Sequence, residues 1–196
     1  DIKRIFNAVI SVRDRALLML LYRTGMRIGE LLQVKVDDII LSDQTILVYV
    51  GSKNYEGREV YYSSDAEQAL KDWLRTRDKT KRYLFYGRSD KPLSYGSAWA
   101  VMRKTLERAG LSDKGYSLHN LRHTFATEMI NHGMRVEVLQ QILGHQDIEI
   151  AVVVRRQDQV LPALSSVRPG SPHVDHEPEE GIIDRARSAP RGDFHD

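Results

Sequence analysis

The segment SLHNLRHTFATEMINHG, residues 117–133, constrains the fold more than any other stretch of this chain. Ser117 is a preferred N-cap residue type, and Gly133 is a residue type that commonly follows the end of a helix. The segment therefore predicts a helix that begins after Ser117 and runs to His132. Residues 136–143 predict one further helix, which ends before Gly144.

Helical and strand patterns occupy the sequence on the N-terminal side of this segment. VRDRALLMLLYRTG has apolar residues at positions 16, 17, 20 and 21, which follow a helical period, and it ends in Gly25. TILVYV and REVYY are rich in β-branched and aromatic residues and flank GSKNYEG, which predicts a β-hairpin. The predicted elements are helices over residues 12–24, 28–33, 65–77 and 94–108 and strands over residues 45–50 and 58–62. The predicted fold class is mainly α with a small antiparallel β-sheet (α+β).

The composition is that of a soluble globular chain. Of its 196 residues, 41% are hydrophobic and 29% are charged, and no apolar run is long enough for a transmembrane helix. Cysteine is absent, which excludes disulfides and thiolate metal sites and fits a reducing cytoplasm. The N-terminal DIKRIFNAVI has no secretory signal pattern, and it starts inside a helical pattern without Met, so we expect a missing upstream part. The formal net charge of +2 is too small to indicate nucleic acid by itself.

The composition changes near residue 150. Residues 151–196 contain six Arg, no Lys and eight acidic residues, and they hold five of the six prolines. Their only aromatic residue is Phe194. Because so little apolar surface cannot offset the entropy of ordering the chain, we expect a disordered tail here.

Five polar residues before this boundary are candidates for a functional site: Arg27, Lys53, His119, Arg122 and His145. Each has an ordinary structural explanation, such as a local ion pair, a solvated hairpin lysine or a polar residue after a helix end. Brought together, two arginines would bind the non-bridging oxygens of a phosphodiester and stabilise charge on a five-coordinate phosphorus. Histidine and lysine would transfer protons near neutral pH. Such a site needs no metal or other cofactor, but it needs a nucleophile.

A metal site is the alternative interpretation of the two helical histidines. His119 and His123 have the spacing of four residues that places two ligands on one helix face. Position 120 is Asn, however, where a zinc-protease helix has Glu, and no third ligand is evident. A metal-dependent hydrolase is therefore the least favoured of the hypotheses.

The polar clusters, in this order, resemble the tyrosine recombinases, also called the phage integrase family. TGMRIGEL is similar to the family's first arginine box. LHNLRHTFATEMINHG followed by LQQILGH is similar to its second box, in which Leu-Gly-His places a histidine 23 residues after the arginine. GSKNYEGREV resembles the hairpin that carries the family's lysine, so Lys53 is the best match, with a shift of one residue left open. The resemblance covers residues 1–150 and implies that they are a catalytic domain.

The resemblance implies site-specific DNA recombination or integration, as in mobile elements, by strand breaking and rejoining. Arg27 and Arg122 would hold the scissile phosphate, and His145 would hydrogen-bond one of its oxygens. His119 would act in acid–base catalysis, and Lys53 would protonate the departing 5′ oxygen. A tyrosine would attack the phosphorus to give a 3′-phosphotyrosyl intermediate. The expected partners are double-stranded DNA and further copies of the chain, which would form a homo-tetramer on DNA, with no membrane and no small-molecule substrate. The resemblance also leads us to expect that the family's N-terminal DNA-clamp domain is absent.

The nucleophilic tyrosine of the family is missing from its expected position. It normally follows Leu-Gly-His by nine residues, which is Val154 here, and the last tyrosine of the chain is Tyr116. The loss coincides with the change in composition, so one hypothesis is a shift of reading frame near Ala151 in a degraded mobile element. The other is a divergent member that binds DNA, or regulates, without catalysis. Both predict that this chain does not cleave DNA.

Overall fold

The computed structural model describes residues 1–49 and 57–144, all of which belong to one compact unit. Within these ranges the helices are α1 (Ile2–Asn7), α2 (Val12–Thr24), α3 (Ile28–Gln33), α4 (Ser64–Thr76), α5 (Tyr95–Arg108), α6 (Leu118–Asn131) and α7 (Val136–Leu143). The strands are β1 (Ile39–Ile40), β2 (Thr45–Tyr49) and β3 (Gly57–Tyr61). The predicted fold class is confirmed. None of the described helices is long and apolar enough to span a lipid bilayer.

Helix α2 runs through the centre of the described core. It begins at an N-cap serine, whose Oγ accepts the Asp14 N–H, and ends at Gly25 in the left-handed conformation with φ 63°. The sequence predicted one apolar face, but residues 16–22 are buried without interruption. The reason is that α4 packs on one side of α2 and α6 on another, so that no face of its middle turns is left for solvent.

The three strands form an antiparallel sheet in the order β1-β2-β3. The predicted hairpin is confirmed in its strands, in which the buried residues Ile46 and Val60 are paired. The turn over residues 50–56 lies outside the described residues. The short strand β1 was not predicted, because two residues carry too little pattern to distinguish a strand from a loop.

Helix α6 begins after Ser117, as predicted. Ser117 and Asn120 form a capping box at its start, and the Ser117 N–H and Oγ both donate to the Asn120 side-chain oxygen, each at 2.7 Å. Asn120 is therefore explained by this cap. The helix ends at Asn131, one residue earlier than predicted, and Gly133 follows with φ 87°.

Two clusters of buried apolar side chains occur among the described residues. The main cluster joins α1 to α5, the sheet and the first turn of α6. The smaller cluster lies between α6 and α7 and contains Phe125, Ala126, Leu139 and Leu143. The two meet at Gly25, where a Cβ atom would contact the side chains of Phe125 and Leu143. The end of α2 is thus fixed at the boundary between the clusters, and Arg27 and Arg122 lie next to it.

Candidate functional site

Arg27 occupies the junction between α2 and α3. Because Gly25 ends α2 in the left-handed region, the chain turns sharply, and Arg27 follows as the extended N-cap of α3. Its backbone N–H donates to Glu30 Oε2 at 2.8 Å, and its guanidinium Nη1 donates to Glu30 Oε1 at 3.0 Å. The Arg27 side chain remains 34% exposed, so it is anchored on one side and reachable from solvent on the other.

Arg122 is among the most deeply buried side chains that the structure describes, with 1% exposure. Its Nη1 donates to the carbonyl of Gly25, and its Nη2 donates to the carbonyl of Leu143 at 2.9 Å. One guanidinium from α6 therefore connects the end of α2 with the end of α7. Since it bridges two fixed carbonyls, its orientation is set by the fold before any ligand binds.

The cations around Arg122 make this an electropositive site. Burial lowers the pKa of Arg122 to about 10, and the neighbouring charges of Arg27 and Arg58 act in the same direction, while Glu30 opposes them. Among the described residues, Arg27, Arg58 and Arg122 lie close enough for their charges to repel, and the binding of an anion would relieve this repulsion. The bidentate geometry of guanidinium groups fits phosphate in particular.

Arg27, Arg58 and Arg122 together form an arginine cluster, and Arg58 is the member that the sequence did not predict. It lies on β3, donates from Nη2 to Glu30 Oε2 at 2.7 Å and donates from Nη1 to the Ile142 carbonyl at 2.6 Å. A signal for it was present, because Arg58 stands two residues before the buried Val60 and so projects from the same face of the strand. An arginine on the core-facing side of a strand is expected to pair with buried hydrogen-bond acceptors or carboxylates.

His119 lies in the first turn of α6, three residues before Arg122, and its side chain is exposed. Its ring packs edge-to-face against that of His123, with 4.4 Å between the ring centroids. In the part of the chain that the structure describes, no group of three or more His, Cys, Asp or Glu side chains could hold a metal ion.

Lys53, His145 and Val154 lie outside the described residues. The last described residue before His145 lies beside the arginines. Gly144, which precedes His145 in the chain, would place a Cβ atom 3.5 Å from Arg58 Nε and 3.8 Å from Arg27 Nη1. The structure therefore brings Arg27 and Arg122 together, and it places Gly144 beside Arg27 and Arg58.

The comparisons with known proteins agree with this arrangement. The family model described as "Phage integrase family" matches residues 1–159. The chain belongs to the phage integrase family. The resemblance inferred from the arginine boxes is thereby confirmed.

Curated relatives of this family member are tyrosine recombinases. The tyrosine recombinase XerD of Corynebacterium glutamicum is 44% identical over 144 residues, which are 71% of this chain and 46% of the relative. The tyrosine recombinase XerA of Pyrococcus horikoshii is 31% identical over 152 residues, which are 76% of this chain and 52% of the relative. The chain thus spans about half the length of these relatives.

Solved structures show the same fold. The crystal structure of a XerA recombinase superposes with a TM-score of 0.70 at 27% identity and covers 83% of this chain and 63% of that one. A XerH site-specific recombinase bound to a palindromic difH substrate gives a TM-score of 0.67 at 24% identity and covers 81% of this chain and 48% of that one. The predicted recombinase catalytic-domain fold is confirmed.

Proposed function

We propose that this chain binds double-stranded DNA through a phosphate site built on Arg27 and Arg122, and that it does not cut the DNA. The observation that carries the proposal is the buried Arg122, held by two backbone carbonyls beside a second, partly exposed arginine. Guanidinium groups bind phosphate oxygens through charge-assisted, bidentate hydrogen bonds, and the second arginine is near enough to act on the charge of the first. A DNA phosphate is the anion that the family relationship favours.

The parental reaction that we infer is site-specific recombination. Arg27 and Arg122 would hold the two non-bridging oxygens of the scissile phosphate. A tyrosine oxygen would bond to the phosphorus while the bond to the 5′ oxygen breaks, with His119 in proton transfer and Lys53 as the proton donor to that oxygen. His145 would donate a hydrogen bond to a phosphate oxygen. Because the phosphotyrosyl bond retains the energy of the broken bond, rejoining would need no ATP.

The proposed lack of cleavage rests on Val154, which stands where the family's tyrosine is expected. We infer that residues 1–150 are the catalytic domain and that residues 151–196 are a tail translated out of frame from near Ala151. Resequencing the coding DNA from about codon 140 and translating all frames tests this origin. A frame that restores a tyrosine nine residues after His145 is the expected result, and its absence would favour the non-catalytic DNA-binding module.

DNA binding is the first activity to measure. Duplexes selected by the chain from a random pool would be titrated at several salt concentrations, because phosphate contacts make the affinity fall with salt. We expect Arg27→Ala to weaken binding across sequences and to reduce the slope of log affinity against log salt by about 1. Arg88→Ala, which removes an exposed arginine of the loop before α5, is the matched control. Equal slopes for the two variants would refute the phosphate site.

Cleavage is tested with the same selected duplexes carrying a nick that traps covalent intermediates. We expect no SDS-resistant protein–DNA adduct, while an active tyrosine recombinase on its own site provides the positive control. An adduct formed by this chain would overturn the proposed loss of cleavage. Binding without an adduct would instead agree with a non-catalytic DNA-binding or regulatory module. Mass photometry on the duplexes would test the homo-tetramer that we propose on DNA.

A further inference from the structure

Arg58 connects three elements of the site. It is the second residue of β3, where it pairs with Val48, and its side chain is only 17% exposed. From this position Nη2 reaches Glu30 on α3 at 2.7 Å, and Nη1 reaches the carbonyl of Ile142 on α7 at 2.6 Å. Strand β3 is therefore connected, by one side chain, to both α3 and α7.

Glu30 is shared between Arg58 and Arg27. Its Oε2 accepts the Arg27 backbone N–H at 2.8 Å and Arg58 Nη2 at 2.7 Å, while its Oε1 accepts Arg27 Nη1 at 3.0 Å. Arg58 thus fixes the plane of the carboxylate that orients Arg27.

The end of α7 is held in a similar way. The carbonyls of Ile142 and Leu143 lie in the last turn of the helix, where backbone acceptors have no partner within the helix. Arg58 donates to the first of them and Arg122 to the second. Cations at a helix C-terminus are also favoured by the helix dipole. Two arginines from different elements therefore set the place from which the chain continues, through Gly144, to His145.

We propose that Arg58 is a positioning residue of the phosphate site, which it serves by orienting Arg27 through Glu30 and by anchoring the end of α7. The inference rests on the proposed function, since the ligand of the oriented arginines is the DNA phosphate. Arg58 does not itself contact the phosphate in this arrangement. Its two bonds reach acceptors on separate elements, which a planar guanidinium can span and a single ammonium group cannot.

The test compares Arg58→Lys with Arg88→Lys, a charge-conserving change at an exposed arginine. Backbone amide exchange is measured first, without DNA. The Arg27 N–H donates to Glu30 Oε2, whereas the Leu31 N–H donates to the Arg27 carbonyl inside α3. We expect Arg58→Lys to accelerate exchange at Arg27 about tenfold while leaving Leu31 unchanged.

Two exchange results would overturn the proposal. Unchanged exchange at Arg27 would show that Glu30 keeps its orientation without Arg58. Equal acceleration at Arg27 and Leu31 would show that Arg58 supports the fold as a whole and not the site. Arg88→Lys should change neither amide.

A double-mutant cycle on DNA affinity provides the functional measurement. Arg27→Ala should weaken DNA binding in the parent chain. In the Arg58→Lys background the fold-loss of affinity caused by Arg27→Ala should be about threefold smaller, because Arg27 is already misplaced there. Additive losses would refute the positioning role. If the parent chain bound no duplex, the proposed function would fall, and the exchange of the Arg27 amide would still decide whether Arg58 positions Arg27.

Discussion

Replacing Gly25 by alanine tests how the end of α2 is packed. Gly25 has φ 63°, and a Cβ atom there would lie 2.7 Å from Leu143 Cδ2 and closer still to the Phe125 ring. The left-handed backbone costs alanine about 1–2 kcal/mol, and overpacking adds about 1–3 kcal/mol. Reduced entropy of the unfolded chain returns about 0.4–1 kcal/mol. We expect Gly25→Ala to lower the free energy of unfolding by about 3 kcal/mol.

Gly115→Ala is the matched control for this substitution. Gly115 has φ 65°, nearly the same backbone conformation, but a Cβ atom there would meet nothing within 4 Å. We expect it to cost about 1 kcal/mol, from backbone strain alone. Urea unfolding followed by circular dichroism measures both. Equal losses for the two variants would refute the reasoning that Phe125 and Leu143 close tightly on Gly25.

The same pair of variants separates stability from function. The Gly25 carbonyl accepts a hydrogen bond from Arg122, so a shift of this residue would move the buried guanidinium. Gly25→Ala should therefore weaken DNA binding at temperatures where it is still folded, whereas Gly115→Ala should not. Equal DNA affinities for the two folded variants would show that the Gly25 carbonyl does not position Arg122 for DNA binding.

Two further predictions concern charge and protonation. Burial, and then the hydrogen bond to Glu128, raise the pKa of Tyr22 to about 12, so the native state keeps this proton between pH 10 and 12 while the unfolded chain loses it. The free energy of unfolding of the parent chain, measured in urea relative to Tyr22→Phe, should therefore fall by up to about 3 kcal/mol across that window. A constant difference between the two chains from pH 8 to 12 would contradict this. At equal ionic strength, sulfate should raise Tm more than chloride because it would bind beside Arg122 and Arg27. At ten times its Kd it should add about 1.4 kcal/mol to the free energy of unfolding. Arg27→Ala should lose most of this gain and the exposed Arg88→Ala none of it, and identical sulfate responses would contradict an anion site.

Local elements of this fold are readable from the sequence because their signals are local. Gly25 and Gly144 mark the ends of α2 and α7, and the paired strands follow from β-branched residues on either side of a turn-forming stretch. The two arginine boxes of the sequence also identified Arg27 and Arg122, which the structure places together.

The parts that the sequence did not predict depend on distant contacts. Arg58 bonds to Ile142, 84 residues away, and no local pattern reports such a partner. The second buried face of α2 is likewise imposed by α4 and α6. Asn120 is the exception, because its contact is local: its side chain accepts bonds from Ser117, which was expected to cap the helix alone.

The division of the apolar core has a consequence for the survival of this protein in a cell. The described members of the main cluster run from Ile5 to Leu121 and bury one another, well before the region where the catalytic tyrosine is expected. Chaperones and proteases act on chains whose apolar surface stays accessible, not on chains that lack a reaction. We therefore expect a mutation after Gly144 that removes the family's tyrosine to leave this cluster intact and the protein abundant, whereas a mutation at the buried Arg122 would affect both the fold and the site.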